Sequence, residues 1–255
     1  MAHIIAVANQ KGGVGKTTTA INIAAYLSKQ GKKVLLVDLD PQGNTSSGLG
    51  IDKSALTHTL YDVLSGSITA VNAILSTAYY GLDILPASNV LAAAEIELST
   101  RQKREFILKS ALRGLEYDYI FIDCPPSLGL LTINGLVAAN MLLIPAQAEY
   151  YALEGLGQLI NTVKRVRAAL NPQLKLLGVV VTMYDGRTSL SGAVMDELHK
   201  HFGELVFDTT VPRNIRLAEA PSHGKPIFAY DRFCRGAFAY KKLTKEVARR
   251  VEPVK

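Results

Sequence analysis

The chain has 255 residues, 48% of them hydrophobic, with 28 Lys and Arg against 22 Asp and Glu. That length suits one α/β domain with a large core, and the hydrophobic content is ordinary for a globular protein. No apolar run approaches a membrane span, no signal pattern precedes the first strand, and the formal charge of +6 admits a polyanionic partner without requiring one.

The two cysteines, Cys124 and Cys234, lack the spacing of a metal site or a disulfide framework, so Cys124 reads as a small core residue and Cys234 as an incidental thiol. There is no linker, low-complexity tract or internal repeat. Residues 1–255 therefore read as a single domain of a soluble cytoplasmic protein.

The chain opens on "HIIAVA" (His3 to Ala8), a short apolar strand. "NQKGGVGKTTT" (Asn9 to Thr19) follows, and then Ala20, Ile23, Ala24 and Leu27 recur at helical spacing until Gly31 stops the helix. Read back from Gly15-Lys16-Thr17, the phosphate-loop pattern G-x-x-x-x-G-K-[ST] asks for glycine at position 10 and finds Gln10. The mechanical parts are present all the same. Gly12, Gly13 and Gly15 let the backbone of the loop, Val14 and Thr18 included, turn its N–H groups inward. Lys16 reaches the β and γ phosphates of ATP, and Thr17 is a ligand for Mg²⁺. Strand, glycine loop and helix aim a helix N-terminus at an anion. The alternative is an ordinary glycine-rich turn with scattered lysines.

The second strand, "KVLLVD" (Lys33 to Asp38), runs into Asp40, Pro41, Gln42 and Gly43. Asp40 is a candidate to orient an attacking water, and Asp38 to hold the Mg²⁺ shell or the loop backbone; capping or turn chemistry is the competing use of either carboxylate. After "LDILPA" (Leu82 to Ala87) comes "YDYIFID" (Tyr117 to Asp123), whose terminal Asp123 is placed to support Mg²⁺ through water. Pro125 and Pro126 stiffen the next loop. "NMLLIPA" (Asn140 to Ala146) and "LKLLGVVVTM" (Leu174 to Met183) are further strands. Near-continuous apolar strands separated by helices predict an α/β fold, a mostly parallel twisted sheet with helices on both faces and the ligand at the carboxyl ends of its strands.

"TTVPRNIR" predicts a strand ending at Thr210 and Val211, after which Pro212, Arg213 and Asn214 are exposed. Asn214 has an amide suited to an adenine edge, although a simple strand-end turn explains the same residues. In the last segment Tyr240, Leu243, Val247 and Val251 form one helical stripe, suited to docking on the core.

"KGGVGKTT", with its additional Lys11, resembles the deviant phosphate loop shared by ParA, MinD and the nitrogenase iron protein. "LLVDLDPQGN", "IDCPPSLGLLT", "EYYALEGL" and "VPRNIRLAEAPSHGKPI" resemble the ParA (Soj-type) branch, and the likeness covers almost the whole chain. It implies a P-loop ATPase using ATP and Mg²⁺, with Pro212 and Asn214 on the adenine. It also implies a sandwich homodimer in which Lys11 of each subunit meets the phosphates of the other. Positive charge on the transferred phosphoryl group is what such a lysine would supply, and a solvated loop lysine is the competing reading.

The fold alone does not choose a function. A nitrogenase-type reductase would need paired cysteines for an iron-sulfur cluster, which this chain does not offer. A MinD-like positioning ATPase would need a terminal amphipathic helix with bulky apolar residues, and the last stripe lacks them, so no membrane partner is expected. Nonspecific binding of double-stranded DNA needs only basic residues on phosphates. Arg187, Arg216, Arg232, Arg235, Lys245 and Arg249 are candidates, with the resemblance pointing at Arg187 and Arg216, and a solvated surface charge is the alternative for each. No helix-turn-helix domain is expected ahead of the first strand. The resemblance further implies a nucleoid-associated partition protein stimulated by a ParB-like partner.

Overall fold

In the computed structural model, which describes residues 2–149 and 152–252, all six apolar runs are strands. They are β1 (His3–Val7), β2 (Val34–Asp38), β4 (Leu82–Leu85), β5 (Tyr119–Asp123), β6 (Met141–Gln147) and β7 (Lys175–Thr182), with β3 (Leu75–Ser76) as a two-residue addition that hydropathy does not reveal. The helices in chain order are α1 (Lys16–Lys29), α2 (Asn44–Gly48), α3 (Leu60–Ser65), α4 (Ala70–Ala73), α5 (Leu91–Leu98), α6 (Ile107–Ala111), α7 (Leu130–Ala138), α8 (Ala152–Ala169), α9 (Ser189–Phe202), α10 (Ile215–Glu219), α11 (Ile227–Tyr230) and α12 (Arg235–Val251).

The sheet order is β3-β4-β2-β5-β1-β6-β7, parallel throughout except for the antiparallel β3 edge. Alternate residues of one strand enter opposite cores: Leu35, Val37, Ile120 and Ile122 on one face, Val34, Leu36, Tyr119 and Phe121 on the other. That two-sided burial is why the strands read as continuous apolar runs. On the second face α12 packs across α1, with Tyr240, Leu243 and Val247 in the core and the Tyr26 hydroxyl donating to the Ala237 carbonyl at 2.9 Å. The terminal stripe therefore docks inward.

The strand expected to end at Thr210 and Val211 is reduced to isolated bridges, Val179 with Val206 and Tyr184 with Pro212. Phe207 and Val211 still donate to the Val179 and Val181 carbonyls of β7, at 2.9 Å each, while between them the amides of Asp208 and Thr209 go to Glu246 of α12, at 3.0 and 3.1 Å. Burial of Glu246 opposes its charge, yet those bonds and Arg250 hold its pKa below the usual value.

Register brings the acidic strand ends together. Asp38 of β2 lies directly opposite Asp123 of β5, and Asp123 lies opposite Val7, the last residue of β1 before the glycine loop. Of the quoted "EYYALEGL" segment, Tyr150 and Tyr151 lie outside the described residues.

Candidate functional site

At the carboxyl ends of the strands lies a cavity of about 720 Å³. Its lining includes Gly12, Gly13, Gly15, Lys16, Thr17 and Thr18 of the loop and helix start, Asp40, Pro126, Thr182, Met183, Pro212 and Asn214. Gly13 and Gly15 take left-handed backbone, φ 74° and 85°, which only glycine adopts cheaply, and this turn delivers the chain into α1 at Lys16. Val14 does not line the cavity. It is buried beneath the loop, and its carbonyl accepts the Thr182 hydroxyl at 2.8 Å, which ties the loop to the end of β7.

The Lys16 ammonium donates to the Lys11 carbonyl at 3.1 Å, and burial holds its pKa below the usual lysine value against the pull of Asp123 and Asp40. A buried ammonium with a single neutral acceptor is poised for an anion. Thr17 donates to Asp123 Oδ2 at 2.7 Å, and Thr45, a residue the sequence reading passed over, donates to the same oxygen at 2.7 Å. Asp38 Oδ2 accepts both the amide and the hydroxyl of Ser46, at 2.8 and 2.6 Å, so Asp38 holds the backbone of α2. Asp40 borders the cavity, with its Oδ1 accepting the Gln42 amide at 2.9 Å.

Burial, then mutual repulsion, pushes Asp38 up to about 7, and burial pushes Asp123 up to about 6. Both residues are fully buried, and the Oδ1 of each has no hydrogen-bond partner. Uncompensated carboxylate oxygens deep in a protein are costly, and a hydrated cation beside them would remove that cost. Among the described residues no three His, Cys, Asp or Glu side chains gather as a metal cage. Mg²⁺ does not ask for one, since it takes a few protein oxygens and fills its shell with phosphate and water. The residues present fit Mg²⁺ with a nucleotide.

Lys11 behaves differently from Lys16. It does not line the cavity; its ammonium pairs with Glu149 at 2.6 Å, and both side chains are partly exposed, 35% and 43%. Met183, also missed from sequence, is one of two non-glycine residues with positive φ among the described residues, 51°, and it lines the cavity.

A family model described as an AAA domain matches residues 2–176. The sporulation initiation inhibitor protein Soj of Bacillus subtilis is 54% identical over 250 residues, 97% of this chain and 99% of that protein. The chromosome partitioning protein ParA of Caulobacter vibrioides is 51% identical, covering 97% of this chain and 94% of its own. The chain belongs to the ParA/Soj family of P-loop ATPases.

Solved structures place this ParA/Soj chain among nucleotide-binding neighbours. A Mycobacterium smegmatis protein described as cobyrinic acid a,c-diamide synthase, with bound ATP analogue and magnesium, has a TM-score of 0.86 at 41% identity, covering 98% of this chain and 95% of that one. MinD of Pyrococcus horikoshii, complexed with Mg-ADP, has a TM-score of 0.80 at 29% identity over 100% of both chains.

In the ParA/Soj chain the basic candidates separate into groups. Bonds from the Tyr184 amide to Val211 and from the Arg213 amide to Tyr184, at 3.0 and 3.4 Å, join the loop of Arg187 to the segment leading to Arg216. Those two arginines therefore stand on adjoining segments beyond the carboxyl end of β7, and neither lines the cavity. Arg187 chelates Asp185 and is otherwise exposed, while Arg216 pairs with Glu219 at 2.9 Å and Asp231 at 3.6 Å. Arg249 lines a separate cleft beside Lys175 and Leu176, the first residues of β7, at the far end of that strand from Arg187, and pairs with Asp208 at 3.8 Å. Arg232, Arg235 and Lys245 are exposed on and just before α12. Asn214 uses its side-chain oxygen to cap α10 through the Arg216 amide at 2.9 Å, which leaves its NH₂ group as the part available to a ligand.

Among the described residues no helix is long and apolar enough to cross a membrane.

Proposed function

We propose that this partitioning ATPase binds ATP and Mg²⁺ in the cavity, closes into a homodimer, holds double-stranded DNA without sequence preference in that state, and releases it on hydrolysis stimulated by a ParB-like partner. The observation that carries the reading is the contrast between two lysines: Lys16 buried and lining the cavity, Lys11 outside its lining, partly exposed and paired with Glu149.

The loop amides and Lys16 hold the phosphates. Thr17 and Asp123, with Asp38 behind them, hold the hydrated Mg²⁺, which when bound neutralises charge on the phosphoryl oxygens. Asp40 orients water at the cavity wall, Pro126 lines the same cavity, and Pro212 and the Asn214 amide meet the adenine. Lys11 leaves Glu149 and completes the positive charge on the partner subunit's nucleotide. The low-affinity phosphate contacts of Arg187 and Arg216, which adjoin, are doubled in the dimer, so two weak surfaces act on one duplex, with Arg235, Lys245 and Arg249 as outlying contacts. The name of the Mycobacterium smegmatis neighbour describes that protein; the shared part is the nucleotide apparatus.

Lys11→Ala should bind nucleotide about as well as the wild type and lose ATP-dependent dimerisation and turnover. Light scattering with ATP checks this, and a full-size ATP dimer from that variant would remove Lys11 from the role. Arg216→Ala should weaken binding to every DNA sequence about equally and lower the salt dependence by roughly one counterion per subunit, about two for the dimer, with ATP-driven dimerisation intact. Gel shifts on unrelated duplexes over a salt series measure both quantities.

A further inference from the structure

We infer that Thr45 and Ser46 are positioning residues, coupling the buried Asp38 and Asp123 carboxylates to the loop that carries Asp40. The inference rests on the ATPase reading above and deepens it at the same site.

The helix that carries them has little else to fix it locally. α2 is five residues long, starts from Gly43 in left-handed backbone and has no side-chain cap. A helix so short does not hold itself together by its own hydrogen bonds. It packs on α1 and on the turn at Pro221, where Gly48 faces Ile21 and Pro221, and its polar anchors are a set of buried bonds to three neighbouring strand ends. The Thr45 hydroxyl reaches Asp123 at the end of β5 at 2.7 Å, and the Ser46 amide and hydroxyl reach Asp38 at the end of β2. The Ser46 hydroxyl also accepts the amide of Ala87, just past β4, at 3.1 Å. Thr45, Ser46, Asp38 and Asp123 are all fully buried, so water does not substitute for any of these partners.

On the other side of α2 the link to Asp40 is short and closed. The Gly43 amide donates to the Asp40 carbonyl and the Gln42 amide to the Asp40 carboxylate, both at 2.9 Å, so residues 40–43 form one turn leading directly into the helix. Thr17 and Thr45 share a single oxygen of Asp123. A change in the Thr17 hydroxyl on ligand binding is therefore felt at the bond that anchors α2, and the rigid turn passes it to Asp40. The two adjacent side chains divide the two adjacent carboxylates between them, Thr45 taking Asp123 and Ser46 taking Asp38. Neither residue lines the cavity, so their influence on the reaction is through Asp123, Asp38 and Asp40.

The test compares wild type, Thr45→Val and Thr45→Ser by two readouts: steady-state ATP hydrolysis, and amide hydrogen exchange over residues 44–48 with and without Mg²⁺ and ADP. In wild type, Mg²⁺ with ADP should slow exchange in that segment. Thr45→Val, of nearly equal volume and without the hydroxyl, should lose the slowing and drop about tenfold in kcat with KM within about twofold. Thr45→Ser, which keeps the hydroxyl, should retain both. If Thr45→Val does not fold, Thr45→Ala carries the same comparison. Wild-type exchange and kcat in the hydroxyl-free variant, or a serine variant as impaired as valine, would overturn the inference while leaving the ATPase reading standing. No nucleotide effect and no hydrolysis in wild type would overturn both.

Discussion

Asp40→Ala is expected to reduce ATP hydrolysis by roughly 10²- to 10⁴-fold, the range for loss of a group that manages a proton or a water in the transition state. KM should change little, because Lys16, Thr17 and Asp123 still hold the ground state. The side chain borders the cavity and, among the described residues, bonds only to the Gln42 amide, so removing it perturbs the turn at residues 40–43 and leaves the buried carboxylates in place. With turnover blocked and binding intact, the variant should accumulate as an ATP-bound dimer. A pre-steady-state measurement of phosphate release settles the point: a normal rate would exclude Asp40 from the chemistry.

Lys16→Ala is expected to act earlier, at binding. The ammonium is buried and its recorded bond is to one carbonyl, so the phosphates would gain a charge-assisted partner from it that water does not replace. Losing one such bond costs up to about 3 kcal/mol, roughly a hundredfold in affinity. Calorimetric titration with ADP and Mg²⁺ should show that loss, and affinity within a few-fold of wild type would contradict the assignment. The contrast with Lys11→Ala separates two lysines five positions apart: one variant fails to bind, the other binds and fails to assemble.

The main features of the fold were legible because strands buried on both faces leave continuous apolar runs, as in "KVLLVD" and "YDYIFID". The edge strand Leu75–Ser76 left no such trace, since both residues are exposed. The expected strand at Thr210 and Val211 is present only as isolated bridges beside β7, and the contact local pattern does not carry is Glu246 of α12, which takes the amides of Asp208 and Thr209 from 38 and 37 residues away. In the cavity, glycine spacing announced the loop and strand-end position announced Asp38, Asp40 and Asp123. Thr45 and Ser46 stayed hidden because a Thr-Ser pair after a turn ordinarily reads as a helix cap. The Lys11–Glu149 pair spans 138 positions, and the left-handed Met183 follows a strand with nothing in its neighbours to require that backbone. The basic residues were visible as charges only. Their separation into a pair on adjoining segments beyond the carboxyl end of β7 and an arginine at the other end of that strand depends on tertiary packing that no local pattern carries.

The central claim is that nucleotide state controls the grip on DNA. The most direct measurement is binding of Asp40→Ala to a random-sequence duplex with ATP and with ADP, at matched Mg²⁺ and over a salt series, beside cosedimentation of the same samples with anionic liposomes. Tight, steeply salt-dependent DNA binding with ATP, little with ADP and none to the liposomes is the expected result. Equal affinity for DNA in both nucleotides, a preference for one base sequence, or ATP-dependent capture by the liposomes would contradict it and favour a MinD-like positioning ATPase.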